Sequence, residues 1–261
     1  MAKYTKLDIN DQGVATLTLN RPDVHNAFDD VMIAELLQAL KEVEESASAR
    51  VLVLRSEGKN FSAGADLKWM RSMADKNYQQ NVDDAGELGL LMERLDLLSK
   101  PSIALVQGAA FGGAVGLAAC CDIVLAQPRS SFCLSEVKIG LIPAVISPYV
   151  VRTIGERQSR RYMLTAERFF ADKAQELGLV NEVVEDFEEP LNKLLEALLA
   201  NSPQAVDACK QLIRDVGSRP IDKDVREHTI KAIAEIRVSE QGQEGLSAFL
   251  EKRPAAWLKQ S

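Results

Sequence analysis

The chain has 261 residues, 46% of them apolar and 26% charged, an ordinary balance for a globular protein with a sizeable core. A net charge of −7 and a pI of about 5.1 argue against a general nucleic-acid binder, which would present a basic surface. No window is long and apolar enough to span a bilayer, and the N-terminus MAKYTKLDIN lacks an apolar signal core. The cysteines (Cys120, Cys121, Cys133, Cys209) show no metal-ligand spacing, so a reduced, cytoplasmic setting is expected, with Cys120 and Cys121 as buried thiols.

Residues 4–10 and 14–19 are expected to form a hairpin turned at Asp11-Gln12-Gly13, since VATLTL alternates with a strand period. Asn20-Arg21-Pro22-Asp23 breaks it. The spacing of Val31, Ile33, Leu36, Leu37, Leu40 and Val43 predicts a helix from about Asp29 to Ser46. VLVLR (51–55) reads as a central strand. The loop SEGKNFSAGAD (56–66) follows, and Leu67-Lys68-Trp69-Met70 opens a helix. Residues 80–98 form an amphipathic helix that stops before Pro101. A strand at 103–107 then enters QGAAFGGAVGLAACCD (107–122), a glycine-rich turn leading into a helix of small residues. Short strands are expected at 123–126 and 131–134, and Ser135-Glu136 leave the second. Ile142-Pro143 and Ser147-Pro148 mark a rigid connection. Beyond it the chain reads as helices near 149–154, 157–165, 171–177, 187–200, 203–216, 221–236 and 240–250, with a last strand within 179–184. The expected organisation is a core over 1–195 and a helical region over 196–261, whose apolar faces have little sheet to cover and would pack on a partner subunit.

SAGAD (62–66) and FGGAVG (111–116) are physically alike. Each follows an apolar strand and each opens a helix, where the first N–H groups are unpaired and partly positive. Brought together, two such N–H groups could converge on one oxygen that gains negative charge during a reaction. Glu136 lies in an apolar setting (Phe132, Leu134, Val137, Ile142) that would raise its pKa and suit proton transfer; the alternative is an exposed acid paired with Lys138. His25 and His228, the only histidines, have no triad spacing around them. AFGGAVG lacks the acidic residue of a dinucleotide fold.

Five stretches, in order and spread over nearly the whole chain, resemble the enoyl-CoA hydratase/isomerase (crotonase) superfamily: NRPDVHNAF (20–28), FSAGADL (61–67), QGAAFGGAVGLAACCDI (107–123), SEVKIGLIP (135–143) and FLEKRPAAW (249–257). The resemblance implies an α/β fold, a spiral of repeated ββα units with a helical C-terminal trimerisation region. It implies a coenzyme A thioester as substrate, no separate cofactor and no metal. The expected assembly is a homotrimer or dimer of trimers, without nucleic-acid or membrane partners. Matched residue by residue, the oxyanion-hole N–H groups fall on Ala63 and Gly113, and the acid on Glu136. Ala27, Gly64, Ala65, Asp66, Leu67, Lys68, Gly112 and Gly116 match CoA- or substrate-contacting positions. Arg21 or Lys252 would meet CoA phosphates.

The chain departs from the pattern in two places. Two-acid hydratases carry a first glutamate where this chain has Gly116. The connection IPAVISPY (142–149) lacks the Gly-Gly-Thr-Gln run often found there. The expectation is a hydratase, closest to bacterial proteins acting on 3-methylglutaconyl-CoA or isohexenylglutaconyl-CoA, whose distal carboxylate Lys68 or Arg71 would bind. Asp84 or Glu87 could stand in for the missing acid. The alternatives are a Δ3,Δ2-enoyl-CoA isomerase using Glu136 alone, a decarboxylase of glutaconyl thioesters, and a non-catalytic acyl-CoA- or RNA-binding paralogue.

Overall fold

The computed structural model describes residues 2–217 and 219–258. The predicted hairpin forms from β1 (Thr5–Ile9) and β2 (Val14–Leu19), paired antiparallel. It leads to α1 (Asp30–Glu45), capped by the Asp29 carboxylate, which accepts from the Met32 N–H. Then follow β3 (Val51–Ser56), α2 (Leu67–Ala74), α3 (Tyr78–Asp96), β4 (Ser102–Val106), β5 (Ala109–Phe111), α4 (Gly113–Cys120), β6 (Ile123–Ala126) and β7 (Ser131–Cys133). A 3-10 turn at Glu136–Ile139 enters α5 (Ser147–Thr165). The remainder is β8 (Phe169–Phe170), α6 (Ala171–Glu176), β9 (Glu182–Val183), α7 (Glu188–Leu199), α8 (Pro203–Val216), α9 (Lys223–Val238) and α10 (Glu240–Glu251).

Two sheets result. The larger runs β1-β2-β3-β4-β6-β9, and every pair after the hairpin is parallel. The smaller runs β5-β7-β8. The alternation of side chains along each strand separates two apolar faces. Leu17, Leu52, Leu54, Ala104, Val106 and Val124 face the main core, with Met32, Leu36 and Leu40 of α1 and Leu91, Met92 and Leu95 of α3. Val14, Val51, Val53, Ile103, Leu105 and Leu125 face the other way, covered by Leu191, Leu194, Leu195 and Leu198 of α7. VLVLR is apolar at successive positions because both faces are covered.

The two helices expected at 149–154 and 157–165 form as the two arms of α5, separated by the non-helical Gly155 (φ 76°, ψ 156°). Two differences from the sequence expectation have physical causes. β5 lies inside what reads as a plain glycine-rich turn, where it pairs with β7. α7 crosses the expected boundary at 195 without a break, because its leucines are needed on the sheet as far as Leu198. The helices beyond the sheet are therefore α8 to α10. Lys210 of α8, nearly buried, ties this group to the sheet by an ion pair with Asp122 (2.7 Å) and a hydrogen bond to the Lys100 carbonyl (3.2 Å).

Candidate active site

The two glycine-containing loops meet, and the main chain joins them. Ser62 N–H donates to the Ala109 carbonyl (3.0 Å) and Phe111 N–H to the Ser62 carbonyl (3.0 Å). Gly64, at φ +92°, sits so close that a Cβ there would stand 2.9 Å from the Phe111 carbonyl oxygen. Only glycine meets both demands, the left-handed backbone and the missing volume.

The HNAF segment forms the third side. His25 and Asn26 both hold positive φ, and the Asn26 side chain is fully buried. Its amide accepts from the Arg21 N–H (2.7 Å) and donates to the Glu57 (2.8 Å) and Asn60 (2.9 Å) carbonyls. These bonds pin the segment against the 56–61 loop. Phe28 then pairs with Ala65: Phe28 N–H donates to the Gly64 carbonyl and Asp66 N–H to the Phe28 carbonyl, each at 2.7 Å.

This register decides which N–H groups are available. The Ala63 N–H, matched in the sequence to the oxyanion hole, donates to the His25 carbonyl at 2.9 Å. The structure therefore corrects that assignment: a donor already used by its own chain has no hydrogen left to aim elsewhere. The Gly64 N–H goes to the Ser62 hydroxyl (3.1 Å). The Ala65 N–H points away from its Phe28 neighbour, and among the described residues no acceptor meets it. On the second loop, Gly112 N–H donates to the Cys133 carbonyl (2.9 Å), while Gly113, first residue of α4, has an N–H that no acceptor among the described residues meets. Gly112 caps α4 at φ 53° without a side chain that could bind these first donors.

Glu136 stands beside this corner. Its Oε1 lies 3.2 Å from where a Cβ on Gly112 would sit, and its Oε2 is buried with no hydrogen-bond partner among the described residues. Burial pushes its carboxyl above the usual carboxylate range, and its own backbone N–H offsets this only in part. Phe132 and Leu134 are fully buried next to it, whereas Ile142, expected in the same wall, is 72% exposed. The pairing of Glu136 with Lys138 does not form among the described residues.

Asp66 behaves in the opposite way. It caps α2, accepting from the Lys68 (2.8 Å) and Trp69 (3.3 Å) N–H groups, and pairs with Arg21 (3.1 Å). Burial opposes its charge, but the two N–H groups and the Arg21 guanidinium outweigh that and hold the carboxyl below its usual range. Arg21 also binds Asp29 (3.0 Å) and the Ala27 carbonyl (2.7 Å) and lies over the Tyr4 ring, so its donors serve the fold rather than a free phosphate. Ala27 is buried, with its N–H given to the Val24 carbonyl. Leu67, Lys68 and Lys252 are exposed. Gly116 is buried under Ile146 and Met92, which corrects its expected contact with substrate. Asp84 pairs with Lys76, and Glu87 is exposed on α3. Trp69 brings one feature that no sequence pattern carries: its indole N–H is buried without an acceptor among the described residues. Cys120 is buried as expected and Cys121 only in part; loss of solvent raises both thiols, Cys121 up to about 12 and Cys120 higher.

Known proteins resemble this chain over nearly its whole length. The family model for enoyl-CoA hydratase/isomerase matches residues 10–260. The crystal structure of an enoyl-CoA hydratase from Shewanella pealeana superposes with a TM-score of 0.97 and 52% identity, covering 98% of this chain and 97% of that one. The 2,3-dehydroadipyl-CoA hydratase of Escherichia coli is 32% identical over 93% of this chain and 94% of its own. The short-chain-enoyl-CoA hydratase of Clostridium acetobutylicum is 32% identical over 94% of each. This chain is thus a member of the enoyl-CoA hydratase/isomerase family, an enzyme with the crotonase fold.

Proposed function

We propose that the protein adds water across the α,β double bond of an enoyl-CoA, with Glu136 as its single acid–base group. The observation that carries this reading is the half-buried Glu136 carboxylate, set against the glycine turn: among the described residues neither its Oε2 nor the Gly113 N–H has a partner. In this reading the Ala65 and Gly113 N–H groups take the thioester oxygen. Glu136 removes a proton from water as its oxygen bonds to C3, and electron density moves onto the held oxygen as an enolate. The protonated Glu136 then returns that proton to C2, so H and OH add across the double bond. A carboxyl whose pKa burial has raised is the better base for the first step. Two convergent donors stabilise the enolate by about 3–4 kcal/mol each.

The names of the relatives support a hydratase and differ in acyl group. The candidate substrate, 3-methylglutaconyl-CoA or a related branched enoyl-CoA, rests on the sequence resemblance. Lys68 in the first turn of α2 and Arg71 in its last turn, both exposed, are the groups proposed to bind a distal carboxylate. The lone acid also favours a second reading, Δ3,Δ2-isomerisation, in which Glu136 moves one proton between C2 and C4. Incubation with crotonyl-CoA, 3-hexenoyl-CoA and 3-methylglutaconyl-CoA separates the two. A product heavier by one water is expected from the first and third. A shifted double bond at unchanged mass, without hydration of any substrate, would replace this reading with the isomerase.

Self-association is proposed for the C-terminal helices. Phe249 (82% exposed) and Leu250 (76%) of α10 and Ile230 and Ile233 of α9 form apolar surface that a second copy would cover. Sedimentation equilibrium should give a trimer or hexamer mass, and F249E should lower it.

A further inference from the structure

The two places where the chain departs from the two-acid pattern meet in one contact. Gly116 lies one turn beyond Gly113 on α4, and residues three apart share a helix face. Position 116, one turn along α4 from the Gly113 N–H, is where the two-acid pattern carries its first glutamate. A Cβ built there would lie 2.3 Å from Cγ2 and 2.8 Å from Cβ of Ile146, and 3.1 Å from Sδ of Met92. Ile146 belongs to the other departure, the connection IPAVISPY, and directly precedes α5. It is 2% exposed, and Met92 is fully buried. The Cβ–Cβ conflict cannot be relieved by a change of rotamer, because the Ile146 Cβ is fixed by the main chain.

We propose that Ile146, backed by Met92, is a specificity-determining residue that fills the place of a second carboxylate and commits the site to one-acid chemistry. The proposal rests on the hydratase reading for its chemistry, and on packing alone for its geometry. Hydrocarbon on this side of α4 leaves no group there to hold a water or return a proton, so both proton transfers fall to Glu136.

A thermal-melting cycle tests the packing. Alanine favours a helix over glycine, so G116A would raise the melting temperature if the position were open. With Ile146 in place it is expected to lower it by about 3–8 °C, and G116A/I146A to recover most of that loss relative to I146A. G116A melting at or above wild type would overturn the proposal. The chemistry is read in an inactive background. E136Q/G116E/I146A is expected to regain hydration at least about tenfold over E136Q, with a new ionisation in its pH–rate profile. A folded triple variant no faster than E136Q would overturn it as well. If the triple variant does not fold, the shorter acid in E136Q/G116D/I146A takes its place; if that too fails to fold, removing Ile146 has not opened the position and the proposal falls. Wild-type protein that hydrates nothing would defeat the hydratase reading, while the melting cycle would still decide the packing.

Discussion

Asp66 and Glu136 are two carboxylates on two loops of the same corner, and their surroundings are opposite. Asp66 has every oxygen engaged, by two N–H groups at the start of α2 and by Arg21. Glu136 keeps one buried oxygen with no partner among the described residues. The acid with its partners in place holds the scaffold; the acid left short of them is the one proposed for the chemistry. The same contrast runs through the main chain. The first loop spends its Ala63 and Asp66 N–H groups on the His25 and Phe28 carbonyls and its Gly64 N–H on its own Ser62 hydroxyl, whereas the second opens on a glycine cap that cannot bind the donors after it.

The contrast can be broken from either side. The largest effect is expected from E136Q, which keeps the shape and removes the proton carrier: turnover of the enoyl-CoA should fall by about 10²–10⁴-fold with the fold intact. A smaller loss in turnover, about 10²–10³-fold, is expected from G113P. Proline is tolerated at the first position of a helix but has no N–H to give, so loss of rate with the circular dichroism retained would identify that donor. D66A should act on stability instead. Losing the cap and one Arg21 partner is expected to cost about 2 kcal/mol, a melting shift of about 5 °C, with turnover of the folded fraction changed little.

The smallest effects are pH trends of opposite sign. The Asp66 carboxyl is held down in the folded state, so its contribution to stability is present above the unfolded carboxylate pKa and fades as pH falls. The melting gap between wild type and D66N should therefore shrink on acidification. The Glu136 carboxyl is held up, so the folded state binds the extra proton and loses stability as pH rises from the unfolded pKa through the raised one. E136Q should then melt slightly above wild type at neutral pH, with the gap closing in acid. Two gaps that moved in the same direction would remove the distinction between the two acids.

Much of the frame is legible in the sequence, because period and punctuation are local. The β1–β2 hairpin, the double-faced VLVLR strand, α1, α3 and the C-terminal helices all follow from spacing and breakers. Glu136 is legible too, since its neighbours Phe132 and Leu134 are apolar. The choice of donor is not. Whether Ala63 or Ala65 keeps its N–H depends on where the His25 carbonyl points, and that follows from a positive-φ pair at His25 and Asn26 held by three Asn26 side-chain bonds, two of them to the distant Glu57 and Asn60 carbonyls. β5 is hidden because three residues between glycines show no period. The Gly116–Ile146 contact is a matter of shared volume between residues thirty apart in the chain, and neither residue signals it alone.

The bridge between Ser62 and Ala110 has one more consequence. The gap between the two loops is set by main-chain bonds and by the bare approach of Gly64 to the Phe111 carbonyl, without a side chain acting as spacer. A gauge of that kind does not change when side chains do. In the proposed reaction, the residues that meet the acyl group could be exchanged, one acyl specificity giving way to another, while the distance offered to a thioester oxygen stayed where the backbone put it.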